Sequence, residues 1–75
     1  MKSLHYKVII EPDEPHGFHA WVPALPGCHS AGKTVAEAKR NIREATDLYI
    51  ESLEARSLPI PKERTQIVDL AVKVA

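Results

Sequence analysis

The hydrophobic positions of this chain switch from a period of two to a period of three to four, and then back to two. The first run, Tyr6-Lys7-Val8-Ile9-Ile10, is rich in β-branched and aromatic residues and sets Tyr6, Val8 and Ile10 on one face, which predicts a strand. Glu11-Pro12-Asp13-Glu14-Pro15-His16-Gly17 follows, with acids, prolines and a glycine that reverse the chain. A second strand, Phe18–Val22, puts Phe18, Ala20 and Val22 on one face and His19 and Trp21 on the other, as in an antiparallel hairpin with a less apolar outer side. Pro23-Ala24-Leu25-Pro26-Gly27 cannot sit within a sheet, because each proline lacks a ladder donor; it predicts a shaped corner. Cys28–Gly32 returns as a short third strand.

The longer period begins at Thr34-Val35-Ala36-Glu37, which has the form of a capping box. In that reading the threonine hydroxyl accepts from the Glu37 amide, and the Glu37 carboxylate reaches back to the Thr34 amide. The helix that follows has an inward face of Val35, Ala38, Ile42, Ala45, Tyr49 and Leu53, flanked by Leu48 and Ile50. Its other face carries Lys39, Arg40, Arg43, Glu44, Asp47, Glu51 and Glu54. Arg40 with Glu44 and Arg43 with Asp47 stand four apart with opposite charge, as on solvated helix surface. Pro59 and Pro61 end the helix. From Gln66 to Val74 the period returns to two, with Val68, Leu70, Val72 and Val74 on one side, which predicts a fourth strand. The whole is a single α+β domain over residues 1–75 of order β-β-β-α-β, one helix covering one face of the sheet.

Composition adds limits. The chain has 75 residues, 44% hydrophobic and 27% charged, which is ordinary for a folded domain. At this size one core supplies little net stability, and a single cysteine allows no internal disulfide. Self-association, as a dimer or tetramer, is the remaining way to gain buried surface, and the apolar fourth strand is a place where another subunit can add on. Ten basic residues balance ten acidic ones, so the counterion-displacing excess of a phosphate-binding domain is missing. No apolar run exceeds three residues and the N-terminus lacks a leader's apolar stretch, which predicts a cytoplasmic protein with no membrane partner.

Candidate chemistry is sparse. His16, His19, Cys28 and His29 fall near one another in the hairpin and corner, but without the paired spacing of a structural metal site, and no metal or cofactor is predicted. Cys28 and His29 are neighbours whose side chains would leave a strand on opposite faces, which argues against a Cys–His nucleophile. Glu11, Asp13 and Glu14, the clustered acids outside the helix, sit in a proline-rich turn where they serve solubility rather than two-metal catalysis. No phosphate-binding glycine loop and no helix-turn-helix pattern is present, and no catalytic residue is assigned. Trp21 remains, a large aromatic on the outer sheet face, either a partner contact or a residue packed beneath the corner or against a dimer mate.

Tyr6-x-Val8-x-Ile10-Glu11, Gly17-Phe18, and then Val22-Pro23-x-Leu25-Pro26-Gly27-Cys28-x-Ser30-x-Gly32-x-Thr34-x-x-Glu37-Ala38-x-x-Asn41-Ile42-x-Glu44-Ala45 resemble the HicB-like antitoxin family over about residues 6 to 61. The Pro-x-Leu-Pro-Gly-Cys corner, followed at fixed distance by Gly-x-Thr-x-x-Glu-Ala and Asn-Ile, carries most of the specificity. The resemblance implies a partial ribonuclease-H-like fold without nuclease activity. It further implies a protein that neutralises a HicA-like toxin, a small messenger-RNA-cleaving protein, by packing over its active face. Larger members carry a C-terminal DNA-binding domain. None follows the fourth strand here, so direct DNA binding is not expected. Ala24 and Lys33 stand where similar sequences often have an acidic residue.

The expected function is therefore antitoxin-like binding of a HicA-like toxin through the sheet and corner, with Trp21, Pro23, Leu25, Pro26 and Gly27 as contact candidates. Two other readings stand beside it: an orphan oligomeric scaffold or ligand-binding domain with no toxin partner, and a metal-dependent hydrolase.

Overall fold

In the computed structural model, which describes residues 3–75, three strands and one helix form in the order β1 (Ile9–Pro12), β2 (Phe18–Trp21), β3 (His29–Gly32) and α1 (Val35–Ala55). The strands make one antiparallel sheet in the order β1-β2-β3, so both hairpins predicted by the turn residues are formed. In β1 and β2 the register pairs Ile9 with Trp21, Ile10 with Ala20 and Glu11 with His19; in β2 and β3 it pairs Ala20 with Ser30 and Trp21 with His29. The Asp13 amide closes the first turn on the Gly17 carbonyl at 2.9 Å.

α1 packs on one face of the sheet, and the core lies between them. Ala20, Val22, Leu25, Cys28, Ala38 and Ile42 form it, with Tyr6, Ile10, Phe18, Ala45, Tyr49 and Ile50 packed around it. The inward face of β2 is thus as the alternation predicts. On the helix, Ala38, Ile42 and Leu53 are buried as expected, but Val35, at the first position of α1, is 41% exposed. The close approach at that turn depends on Gly32: a Cβ there would lie 2.4 Å from the Ala38 amide nitrogen, so only a residue without a side chain lets β3 and α1 meet.

The helix start is as read, with one change of partner. Thr34 is the N-cap and its Oγ1 accepts from the Glu37 amide at 3.0 Å, but the Glu37 carboxylate accepts from the amide of Lys33, not of Thr34. Of the two ion pairs expected on the outer face, Arg43–Asp47 forms, Nε to Oδ2 3.6 Å. The helix end owes more to backbone geometry than to proline. Ser57 takes φ 53°, its amide bonds the Glu54 carbonyl and the Leu58 amide bonds the Leu53 carbonyl, the two bonds of a Schellman motif.

All three strands differ from the pattern in their boundaries. β1 was expected over Tyr6–Ile10 and lies at Ile9–Pro12. The ladder can extend only as far as β2 runs opposite it, and the chain turns away at Val22-Pro23, leaving Tyr6–Val8 with no residue across from them. Val22 and Cys28, assigned to the ends of β2 and β3, instead bond to each other across the corner, Val22 amide to Cys28 carbonyl at 3.0 Å. The largest difference is the fourth strand. Gln66–Val74 has the alternation of a strand and no ladder partner in this chain, and Val68, Leu70, Val72 and Val74 are 72–89% exposed. A strand is defined by the strand beside it, and the pattern of one segment does not supply that neighbour.

Candidate partner-binding face

The helix covers one side of the sheet only. Since side chains alternate across a strand, the register places Ile9 and Glu11, His19 and Trp21, and His29 and Ala31 together on the side away from α1. Trp21, half-buried, is central on this face, between Ile9 on β1 and His29 on β3. The His19 ring stacks on it, centroids 5.3 Å apart and planes inclined by 16°.

His19 is held from two sides. Its Nδ1 lies 2.5 Å from Asp13 Oδ1 in the first turn, and its Nε2 lies 3.4 Å from Glu11 Oε1 on β1. The hydrogen bond to Asp13 raises the His19 pKa above its ordinary 6.5, burial opposes that, and the charges of Asp13 and Glu11 reinforce it. Asp13 and Glu11 therefore do more than keep the chain reversal soluble: they hold the ring beside Trp21 and favour its protonated form.

Next to this row the corner forms a shallow depression of about 790 Å³, and all five residues singled out in the sequence border it. Trp21 and Pro23 are half-buried, and Pro26 and Gly27 are exposed. Leu25 differs: it is 0% exposed, so it has no surface to offer a partner. It acts instead as the plug that fixes the corner. Its amide bonds the Val22 carbonyl and its carbonyl accepts from the Cys28 amide, both at 3.0 Å, while its side chain fills the core. From the helix, the Tyr49 hydroxyl donates to the Pro26 carbonyl at 2.8 Å. Gly27, at φ 82°, turns the chain into β3 through a conformation that favours glycine.

The histidines and Cys28 do not converge. Cys28 is buried, with Sγ 3.7 Å from Thr46 Oγ1, while His16 and His29 are exposed at separate places. Among the described residues no three His, Cys, Asp or Glu side chains are arranged to hold a metal ion. No helix among them is long and apolar enough to cross a membrane. The alternation of the second strand had already set His19 and Trp21 on one face, but His19 was not among the contact candidates, and its pairing with Asp13 and Glu11 was not foreseen.

The domain thus leaves one sheet face uncovered beside a braced proline corner. Residues 6–73 match the HicB-like antitoxins of bacterial toxin–antitoxin systems, and the chain belongs to that family. It is similar to a UPF0150 protein of Synechocystis, 47% identical over 93% of this chain and 89% of that one. A UPF0150 protein of Thermoplasma acidophilum is 46% identical over 84% of this chain and 91% of the relative. Among solved structures, a chain of the "HicA3 and HicB3 toxin-antitoxin complex" is similar, with TM-score 0.66 and 31% identity, over 81% of this chain and 70% of that chain.

Proposed function

We propose that this protein is the antitoxin of a toxin–antitoxin pair and neutralises a HicA-type toxin by direct contact, without catalysis of its own. The observation that carries the reading is the uncovered sheet face, on which Trp21 and His19 stack beside a corner that is rigid yet exposed at Pro26 and Gly27. A surface fixed before binding loses little conformational freedom on contact, and a central aromatic in a shallow apolar depression is a usual anchor of a protein interface. The similarity to a chain of a toxin–antitoxin complex supports the same reading. An interface of standard size buries about 800 Å² on each side, roughly one-eighth of the 6395 Å² this chain exposes.

In this reading Trp21, Pro23, Pro26 and Gly27 touch the toxin, and Leu25 positions them from below. Calorimetric titration with the HicA-type toxin encoded beside the gene tests it. The native chain binds with a one-to-one protomer ratio, and Trp21→Ala weakens binding about 30-fold or more, whereas Glu44→Ala on the outer helix face leaves it unchanged. Equal affinity of the Trp21→Ala variant and the native chain would remove this face from the interface.

A further inference from the structure

Each ring nitrogen of His19 faces a carboxylate: Nδ1 lies 2.5 Å from Asp13 Oδ1, and Nε2 lies 3.4 Å from Glu11 Oε1. A neutral imidazole carries one N–H, so it donates to one acid and turns a lone pair toward the other; only the imidazolium donates to both. Glu11 stands directly across from His19 on β1, and Asp13 follows that strand's last residue. The ring is therefore gripped at two points, and the grip is complete only while it is charged.

Trp21 rests on this clamp, its ring centroid 5.3 Å from that of His19 and the planes inclined by 16°. A cation against an indole face is attracted by the ring's quadrupole, and that attraction leaves with the proton. Because α1 packs on the opposite side of the sheet, support for the indole comes from the sheet itself: His19 along β2, Ile9 from β1 and His29 from β3.

We propose that His19 is the positioning residue of the toxin-contacting face and that its protonation gates the contact: the clamped imidazolium holds the Trp21 indole in its binding position, and the neutral ring releases it. This rests on the reading that the Trp21 face meets a HicA-type toxin. The groups that face His19 are Glu11 from β1 and Asp13 from the first turn, with Glu14 and His16 exposed farther along that turn. From β3, Ala31 stands opposite, with His29 on one diagonal and Lys33, just past the strand, on the other. The ring's bonded partners are the two acids. The hydrogen bond to Asp13, and then the charges of Asp13 and Glu11, raise the His19 pKa above 6.5 against the opposing effect of burial. The clamp is thus fully formed below 6.5 and is lost as pH rises through the raised value. A toxin that binds the ordered indole favours the imidazolium, so its Kd rises with pH. An indole that must be ordered at the moment of contact weakens binding about fivefold, a part of what removing the whole side chain costs.

Two measurements on the full chain test this. In calorimetric titration with the HicA-type toxin, Kd is about fivefold higher at pH 9 than at pH 6. His19→Arg, a permanent cation with N–H groups for both acids and a flat face for the indole, removes that dependence, which separates His19 from any titration of the toxin. His19→Phe keeps a ring to stack but not the clamp, and at pH 6 it binds about fivefold more weakly than the native chain. A flat native profile, a pH dependence that His19→Arg retains, or native affinity in His19→Phe overturns the proposal. In each of those cases a loss of binding in Trp21→Ala still upholds the toxin contact, whereas a native chain that binds no toxin at any pH overturns both. The second measurement needs no toxin. In the free chain, proton NOEs between the Trp21 and His19 rings are strong at pH 6 and fade by pH 9; NOEs of constant strength across that range overturn the positioning role.

Discussion

The corner at Pro23–Gly27 and the arm at Gln66–Val74 are opposites. The corner has no regular secondary structure, yet it is the better determined of the two. Leu25 is fully buried, Val22, Leu25 and Cys28 bond one another, and Tyr49 braces it from the helix. The arm has the cleanest strand alternation in the chain and no ladder partner, and Val74 is 89% exposed. Order follows from what surrounds a segment, while periodicity only states which side would be covered if something surrounded it.

The largest expected effect that separates the two regions comes from removing the same side chain from each. Leu25→Ala opens a cavity under the corner and costs about 3 kcal/mol of unfolding free energy, close to all that a domain of this size has to spare. Leu70→Ala, on a side chain that is 84% exposed, changes it by less than about 0.5 kcal/mol. Denaturant titration followed by Trp21 fluorescence measures both, and equal losses would erase the distinction between plug and arm.

Gly32→Ala comes next. It puts a methyl against the Ala38 backbone on the packed side of the molecule, where neither β3 nor α1 can yield cheaply, and costs about 2 kcal/mol. A loss below about 0.5 kcal/mol would mean that α1 sits more loosely on the sheet than the contact implies. Ser57, between body and arm, predicts the opposite sign: glycine adopts φ 53° without steric penalty, so Ser57→Gly raises the thermal midpoint, with a gain of about 0.5 kcal/mol.

The smallest effect is the pH response beside the corner. Because the folded-state pKa of His19 is raised by Asp13 and Glu11, its contribution to stability is fully present below the ordinary value of 6.5 and is lost as pH rises through the raised value. Trp21 is the single tryptophan and stacks on His19, so its fluorescence follows that titration. Asp13→Asn moves the midpoint down toward 6.5; an unmoved midpoint would detach the first turn from the Trp21 face.

Much of this molecule was legible in the residues themselves. The hairpins follow from turn residues between alternating runs, the inward face of β2 from Ala20 and Val22, and the helix start from Thr34 and Glu37. The location of the candidate site was legible too, since prolines and Gly27 beside Trp21 mark a corner next to an aromatic. The roles inside it were not. Leu25 belongs by pattern to an exposed loop, and only the backbone path around it, bonded at Val22 and Cys28, turns its side chain into the core. His19 reads as a histidine on the Trp21 face, and only the fold brings Asp13 from the turn and Glu11 from β1 to its two nitrogens.

Sequence alone determined which faces of the strands and helix are apolar, where the chain must turn and where the helix begins, because these depend on a residue and on neighbours within a few positions. Tertiary structure decided how far each ladder runs, which face of the sheet stays uncovered, that Leu25 plugs the corner while Trp21 remains accessible, and that the C-terminal segment projects as an arm. Each of these depends on atoms distant in the chain, and a periodic pattern carries no information about which distant atoms will arrive.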